Sequence, residues 1–295
     1  MQIYAVLIQP SGNKPKGGDF VPTTVTPIRY PGGKTKLYSF VRDLLQKNNL
    51  LHGTYCEPFA GGAGLAIKLL EKKDVNHLVL NDADPAIYAV WDLILHSPDE
   101  LCDFIQNVDI SIEEWDRQKQ VYSERDNYSL SELGKATIFL NRTNVSGVIT
   151  GGVIGGREQK GNYKIDARFN KESLIKKIRT IAALQDHIDL YNLDALEMMD
   201  QVFPDLEDRT LVNFDPPYVK KGKQLYKNSF TTEDHTRLKN RIAECNKSWI
   251  VTYDVCDLVK ELYTDFRGGF IDVYYSANEI RKAQEYVFYS DNLVI

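Results

Sequence analysis

Residues 55–67 read YCEPFAGGAGLAI. Tyr55 and Cys56 suit a strand, and Glu57-Pro58 ends it. Gly61, Gly62 and Gly64 then permit a tight turn. Leu65, Ile67, Leu69 and Leu70 follow at helical spacing. In such a strand–turn–helix unit a ligand can approach glycine backbone and a helix N-terminus. The same turn also occurs without a ligand, so its neighbours must say what it is for.

The next unit is LNDADPAIY at 80–88. A strand is expected at 77–80, ending in Asn81-Asp82. Asp84-Pro85 fits a helix N-cap followed by proline in the first turn. That leaves Asp82 for a ligand, about 20 residues after the glycines, where an acid accepts hydrogen bonds from ribose hydroxyls. Further strands are expected at 188–193, 210–215, 248–253, 270–275 and 285–291. Helices are expected at 195–202, 232–245 and 255–263. The pattern predicts an α/β fold, a doubly wound seven-stranded Rossmann-like sheet. The last two strands have a short connection, which suits an antiparallel pair.

Residues 97–185 break this rhythm. Ser111-x-x-Glu114 reads as a capping box. A helix is expected at 131–142, and Asn170 caps another carrying Leu174, Ile175, Ile178 and Ile181. Between them, GVITGGVIGGREQKGNYKI at 147–165 is glycine-rich and too polar for a core, the pattern of a mobile loop or hairpin. The expected organisation is an N-terminal arm at 1–26, a sheet domain from 27–96 and 186–295, and a mostly helical insertion at 97–185 on the sheet's ligand-binding edge.

Two more stretches look chemical. RYPGGKTKL at 29–37 resembles the end of a phosphate loop, but such a loop needs a glycine five positions before Gly33, and Ile28 stands there. A nucleotide hydrolase is therefore the weaker reading. NFDPPYVKK at 213–221 follows an expected strand. Pro216 and Pro217 fix the backbone and remove two N–H donors. What remains is a row of carbonyl acceptors beside the Asp215 carboxylate, suited to a ligand amino group. Tyr218 offers a flat face for stacking.

Composition narrows the class. Hydrophobic residues at 43% and charged residues at 26% describe a globular chain. Cys56, Cys102, Cys245 and Cys256 are widely spaced, and neither they nor the histidines show metal-ligand spacing, so no disulfide framework and no metal are expected. No apolar run approaches a membrane span, and the apolar start lacks the basic lead of a signal sequence. A cytoplasmic location follows. Net charge is −5, yet residues 141–180 carry nine basic against three acidic side chains. Bases sharing one face can bind a phosphate backbone on a mildly acidic protein.

In order along the chain stand PIRYPGGK, EPFAGGAG, LND, FLNRTNVSG, YNLDALEMM, FDPPY, NSFTTEDH and SANEIRKAQEYVFY. This series, over about 27–292, resembles the Dam-like DNA adenine-N6 methyltransferases, which use S-adenosylmethionine. The resemblance implies that Tyr30 and Lys34 contact the methyl donor, and that Glu57, Phe59, Gly61 and Gly64 wall its site. It implies that Asp82 holds the ribose and that Asp194 meets the cofactor's adenine. Asp215, which also borders the cofactor, and the Pro216 carbonyl would accept hydrogen bonds from the target amine, with Pro217 rigid behind them and Tyr218 stacked on the base. The partner would be double-stranded DNA, met by the insertion as a target-recognition subdomain through Asn141, Arg142, Asn144, Arg157, Lys160 and Lys164. TNVSGVITGG lacks the aromatic and arginine pattern of GATC readers, so GATC is not the expected site. An RNA adenine or a cytosine N4 amine, and a non-catalytic DNA-binding protein of this fold, remain alternatives. The recognition sequence, the oligomeric state and a cognate restriction enzyme are left open.

Overall fold

The computed structural model describes residues 3–6, 24–30, 33–219, 230–276 and 280–295. Most of the expected N-terminal arm, Pro31-Gly32 of RYPGGKTKL, the last two residues of NFDPPYVKK, and 277–279 of the last motif lie outside the described residues.

One sheet organises the chain. Its strands are β1 (Ile3–Val6), β2 (Thr54–Glu57), β3 (His77–Asn81), β4 (Ile188–Tyr191), β5 (Thr210–Phe214), β6 (Ser248–Asp254), β7 (Arg267–Ser276) and β8 (Ile280–Tyr289). They lie in the order β1-β7-β8-β6-β5-β2-β3-β4. All seven expected strands form. The eighth, β1, pairs in parallel with β7 at the edge. The expected antiparallel element is β8, which sits between β6 and β7 and runs against both. Strand order reverses where β2 lies beside β5. In open α/β sheets the ligand crevice opens at such a switch point, beyond the carboxyl ends of the strands.

Local chemistry explains the helices. In α1 (Tyr38–Lys47), Val41, Leu44 and Leu45 form the buried stripe. The glycine turn opens α2 (Gly64–Glu71). Asp84 caps α3 (Pro85–His96), its Oδ1 accepting the Ala86 N–H at 3.0 Å. The insertion adds α4 (Pro98–Asn107), α5 (Ile112–Ser123), α6 (Leu130–Thr143) and α7 (Lys171–Ala182). Asn170 caps α7 as expected, and Ser111 caps α5 by accepting the Glu114 N–H at 3.1 Å, while the Glu114 carboxylate turns to Arg117 and Gln118 instead of closing the expected box. A reciprocal Ser129–Glu132 capping box starts α6 just ahead of the expected boundary. Beyond β4 come α8 (Ala195–Gln201), α9 (Thr232–Ala243) and α10 (Asp257–Leu262).

Two apolar clusters fill the fold. One joins Leu45, Ile67 and Trp91 to Leu101, Ile138 and Ile178, so the insertion helices share a core with the sheet layer. The other joins Met198, Phe214, Trp249 and Tyr263 beneath α8–α10. β5 and β6 are buried along their whole length, as central strands covered on both faces must be.

One expectation needs correction. The segment 147–165 contains core residues: Val153 is 5% and Ile165 6% exposed. Asn144 and Val153 form an antiparallel bridge, and the Ile154 N–H reaches the Thr143 carbonyl at 2.9 Å. Gln159 staples the far end, donating to the Ile154 carbonyl at 2.8 Å and accepting the Ile165 N–H at 2.8 Å. Two apolar anchors and one amide hold a segment whose composition reads as mobile.

Candidate active site

The crevice is built from the tips of β2, β3 and β5. After β2 the chain turns through Gly61, whose φ of +47° is the left-handed conformation glycine adopts without penalty. A Cβ there would lie 2.8 Å from the Tyr30 ring, so Tyr30 packs directly on the turn. Asp82, at the tip of β3, accepts the Gly61 N–H at 2.8 Å and the Asp84 N–H at 3.0 Å. Asp82 thus braces the turn as well as facing the crevice. Burial pushes its carboxyl up to about 7, against those two N–H groups. Asn81 ties the tips together, donating to the Pro58 and Leu193 carbonyls at 3.0 Å each. Glu57 is 5% exposed. Burial drives it up to about 8, and the nearby Asp215 charge adds to the effect.

The second half of the site is a charge cluster. Lys34 is buried and lies between two carboxylates, 2.8 Å from Glu285 Oε2 and 3.2 Å from Asp215 Oδ1. It also donates to the Tyr218 hydroxyl, which in turn donates to Glu285 Oε1 at 2.6 Å. Thr252 Oγ1 donates to Asp215 Oδ1 at 3.0 Å. Asp254 Oδ1 accepts the Val219 N–H at 3.1 Å and so holds the chain after Tyr218. Burial alone would lower the Lys34 ammonium, but Asp215 and Glu285 outweigh it and the net shift is upward. Burial pushes Asp215 up to about 6, with Lys34 opposing and Glu285 adding to the shift. Pro216 is buried, and Pro217 and Tyr218 are half-buried.

This arrangement decides the reading of RYPGGKTKL. A phosphate-loop lysine must be available to a polyphosphate. Here Lys34 is already held by two carboxylates inside the protein and is not available to a triphosphate.

The remaining expected cofactor residues lie to the side. Phe59 meets Phe230 edge-on, with ring centroids 6.0 Å apart. Asp194 caps α8 by accepting the Leu196 N–H at 2.8 Å. With Leu196, Phe230 and Leu238 it lines a cavity of about 220 Å³. Gly64 opens α2, with the Thr35 hydroxyl occupying the space a side chain would need.

The expected nucleic-acid residues divide into two groups. Asn141 and Asn144 are buried. Asn141 accepts the Arg29 N–H at 2.7 Å and donates to the Arg29 and Gly147 carbonyls at 2.8 and 2.9 Å. Asn144 accepts the Trp115 indole N–H at 2.6 Å and donates to the Val148 and Ile149 carbonyls at 3.0 and 2.8 Å. Arg142 donates to the Arg168 carbonyl at 2.7 Å, and burial, with Arg29 and Arg168 nearby, lowers it to about 10. Asn141 and the half-buried Arg142 tie the insertion to the segment at 24–30, and the Asn144 side chain ties α5 to the loop that follows α6. Arg157, Lys160 and Lys164 are exposed. Arg157 makes a bidentate pair with Asp116 at 2.6 and 2.8 Å, Lys160 pairs with Glu158 at 2.5 Å, and Lys164 donates to the Gln159 carbonyl.

Reading the residues alone missed Glu285 and Thr252. Glu285 left a trace: it is an acid entering the apolar run Tyr286, Val287, Phe288, Tyr289, at a strand position where a core residue is expected.

The type II methyltransferase M.MjaIII of Methanocaldococcus jannaschii is 25% identical over 221 residues, 70% of this chain and 73% of its own. Among solved structures, a conserved hypothetical protein of Streptococcus pyogenes matches at 13% identity and a TM-score of 0.34, over 81% of this chain and 86% of that one. A precorrin 8w decarboxylase of Methanobacterium thermoautotrophicum matches at 10% identity and a TM-score of 0.38, over 89% and 91%. Those two scores are too low to carry an argument. A sequence model of the D12 class N6 adenine-specific DNA methyltransferases matches residues 30–279, and with DPPY at the switch point of the sheet the chain belongs to that family.

Proposed function

We propose that this adenine-specific DNA methyltransferase takes its methyl group from S-adenosylmethionine and acts on an adenine flipped out of duplex DNA. One observation carries the reading: Asp215 lies at the sheet's switch point, fixed through Oδ1 by Lys34 and Thr252. The crevice fits the donor by its chemistry. Glu57 and Asp82 are acceptors for ammonium and hydroxyl groups, and Phe59 and Phe230 offer apolar faces for a ring. Tyr30 and the Gly61 turn would border the donor, and Asp194 would sit beside its base. When bound, the donor supplies an electrophilic methyl group on a sulfonium centre.

The chain's own residues supply the rest. An adenine amine is a poor nucleophile because its lone pair is delocalised into the ring. Asp215 and the Pro216 carbonyl would accept its two N–H bonds, favouring a localised lone pair and stabilising positive charge that develops on nitrogen. Asp215, with its carboxyl near 6, is mostly ionised at neutral pH and can accept. The rigid Asp215–Tyr218 backbone positions the amine, a large part of such rate enhancements. Flipping costs a few kcal/mol of unstacking, and the Tyr218 ring would offset part of that cost.

The insertion would face the duplex. Arg157, Lys160 and Lys164 would meet phosphates, while Asn141, Arg142 and Asn144 shape the loop that carries them. Among the described residues no helix is long and apolar enough to cross a membrane, and the enzyme would act in the cytoplasm. A cognate restriction enzyme would be a partner of such a methyltransferase. Transfer of tritiated methyl from S-adenosylmethionine tests the reading, using duplex DNA, single-stranded DNA and RNA as acceptors. Duplex DNA should be labelled and Asp215→Ala should label nothing while keeping its fold. Preferential labelling of RNA, or full activity of Asp215→Ala, would overturn it.

A further inference from the structure

Glu285 has no part in the scheme above, yet each of its carboxylate oxygens holds a residue of the site. It lies on β8 between Asp254 of β6 and Ile271 of β7 in the sheet register, and its side chain is 2% exposed. Its two oxygens divide their work. Oε1 accepts the Tyr218 hydroxyl at 2.6 Å and Oε2 accepts the Lys34 ammonium at 2.8 Å. Lys34 continues to Asp215 Oδ1 at 3.2 Å. The Thr252 hydroxyl reaches that same oxygen. Among the described residues no hydrogen bond or ion pair uses Asp215 Oδ2.

A buried carboxylate costs free energy, so one that binds two functional groups needs a reason to be there. We propose that Glu285 is a positioning residue for methyl transfer: it draws Lys34 partly away from Asp215 and anchors the far edge of Tyr218. Asp215 Oδ2 then remains a strong acceptor for the target amine, and the Tyr218 ring is held at a fixed angle to the flipped base. The proposal rests on the reading that Asp215 and Tyr218 receive that base.

Without Glu285, Lys34 would turn more fully to Asp215, and the tyrosine hydroxyl would lose the Glu285 acceptor. The first change makes Asp215 a weaker acceptor. The second removes one of the contacts that set the angle of the ring. Among the described residues, the groups that face Asp215 electrostatically are Lys34, Glu285, Glu57 and Tyr55. Removing the Glu285 charge leaves Lys34 as the nearest influence, so the Asp215 carboxyl should titrate lower.

The test uses Glu285→Gln, Glu285→Asp and Tyr218→Phe in the full chain. Glu285→Gln should reduce kcat about tenfold or more, with S-adenosylmethionine Kd by calorimetry changed less than about threefold. The acid limb of its kcat/KM profile should move down by about half a pH unit or more. A merely structural loss would leave that limb in place. Glu285→Asp keeps the charge and should restore the limb. Carbon-13 titration of the Asp215 carboxyl in the donor-free protein should show the same shift without turnover, so this readout stands even if the donor or substrate assignment fails. An unmoved Asp215 titration, or kcat within about twofold of the parent, would overturn the proposal. If Glu285→Gln does not fold, Tyr218→Phe decides: it should lower kcat severalfold with donor affinity kept, and an unchanged kcat would overturn the anchoring role.

Discussion

Lys34→Met removes a buried cation shared by the buried Glu285 and the half-buried Asp215, and its cost can be worked from the geometry. Lys34 lies 2.8 Å from Glu285 and 3.2 Å from Asp215 with its own side chain 5% exposed. Breaking a buried pair on one side costs about 3–5 kcal/mol, because the remaining charge is left uncompensated. A proton limits the damage. One carboxyl can neutralise by binding a proton in the folded state, which costs about 1.4 kcal/mol per pH unit above its ordinary value of about 4.3. That gives about 5 kcal/mol at about pH 8 and about 3 kcal/mol at about pH 6.5. The sign follows from linkage: the carboxyl's folded-state pKa is raised above its unfolded value, so the variant regains stability as pH falls. Urea unfolding of parent and variant at both pH values measures the difference. The deficit should shrink by about 2 kcal/mol on going to the lower pH. A deficit independent of pH would show that Lys34 does not neutralise buried charge, and the charge-cluster account would fail.

Further expectations follow from single contacts. Gly61→Val places a branched side chain at a φ of +47° and against the Tyr30 ring; it should cost about 2 kcal/mol or more in urea unfolding and weaken S-adenosylmethionine binding. Asn144→Ala strands the Trp115 indole N–H and the Val148 and Ile149 carbonyls, and should destabilise by about 3 kcal/mol without touching the crevice. Equal stability of that variant would show that Asn144 is not an internal clamp. Arg157→Gln breaks only an exposed pair, so its stability should change by less than about 1 kcal/mol while the salt slope of DNA binding falls by about one. An unchanged slope would remove Arg157 from the DNA contact.

What could be read from the sequence was mostly local. The glycine turn at 61–64, the Asp84 cap and the Asn170 cap are decided by residues within a few positions, and each appears where the pattern places it. Asp215 to Tyr218 could be singled out because prolines at a strand tip have few uses. The partners of Lys34 could not be read, since Glu285 is 251 positions away and meets it only through the packing of β8 beside β6. The asparagines at 141 and 144 mislead for the same reason. Polar residues beside a glycine-rich loop look like surface groups, and only the fold brings Arg29 and Trp115 onto them. The N-terminal segment could be read as either an arm or an added strand, and only its pairing with β7, at the opposite end of the chain, decides for a strand at Ile3–Val6.

The central claim is that the Asp215 crevice places a methyl group on the 6-amino group of adenine in DNA. The most direct measurement is mass spectrometry of nucleosides digested from plasmid DNA after reaction with purified enzyme and S-adenosylmethionine labelled in the methyl group. The account predicts labelled N6-methyladenine with the parent and none with Asp215→Ala. Label on cytosine, label on no base at all, or equal N6-methyladenine from both proteins would contradict it.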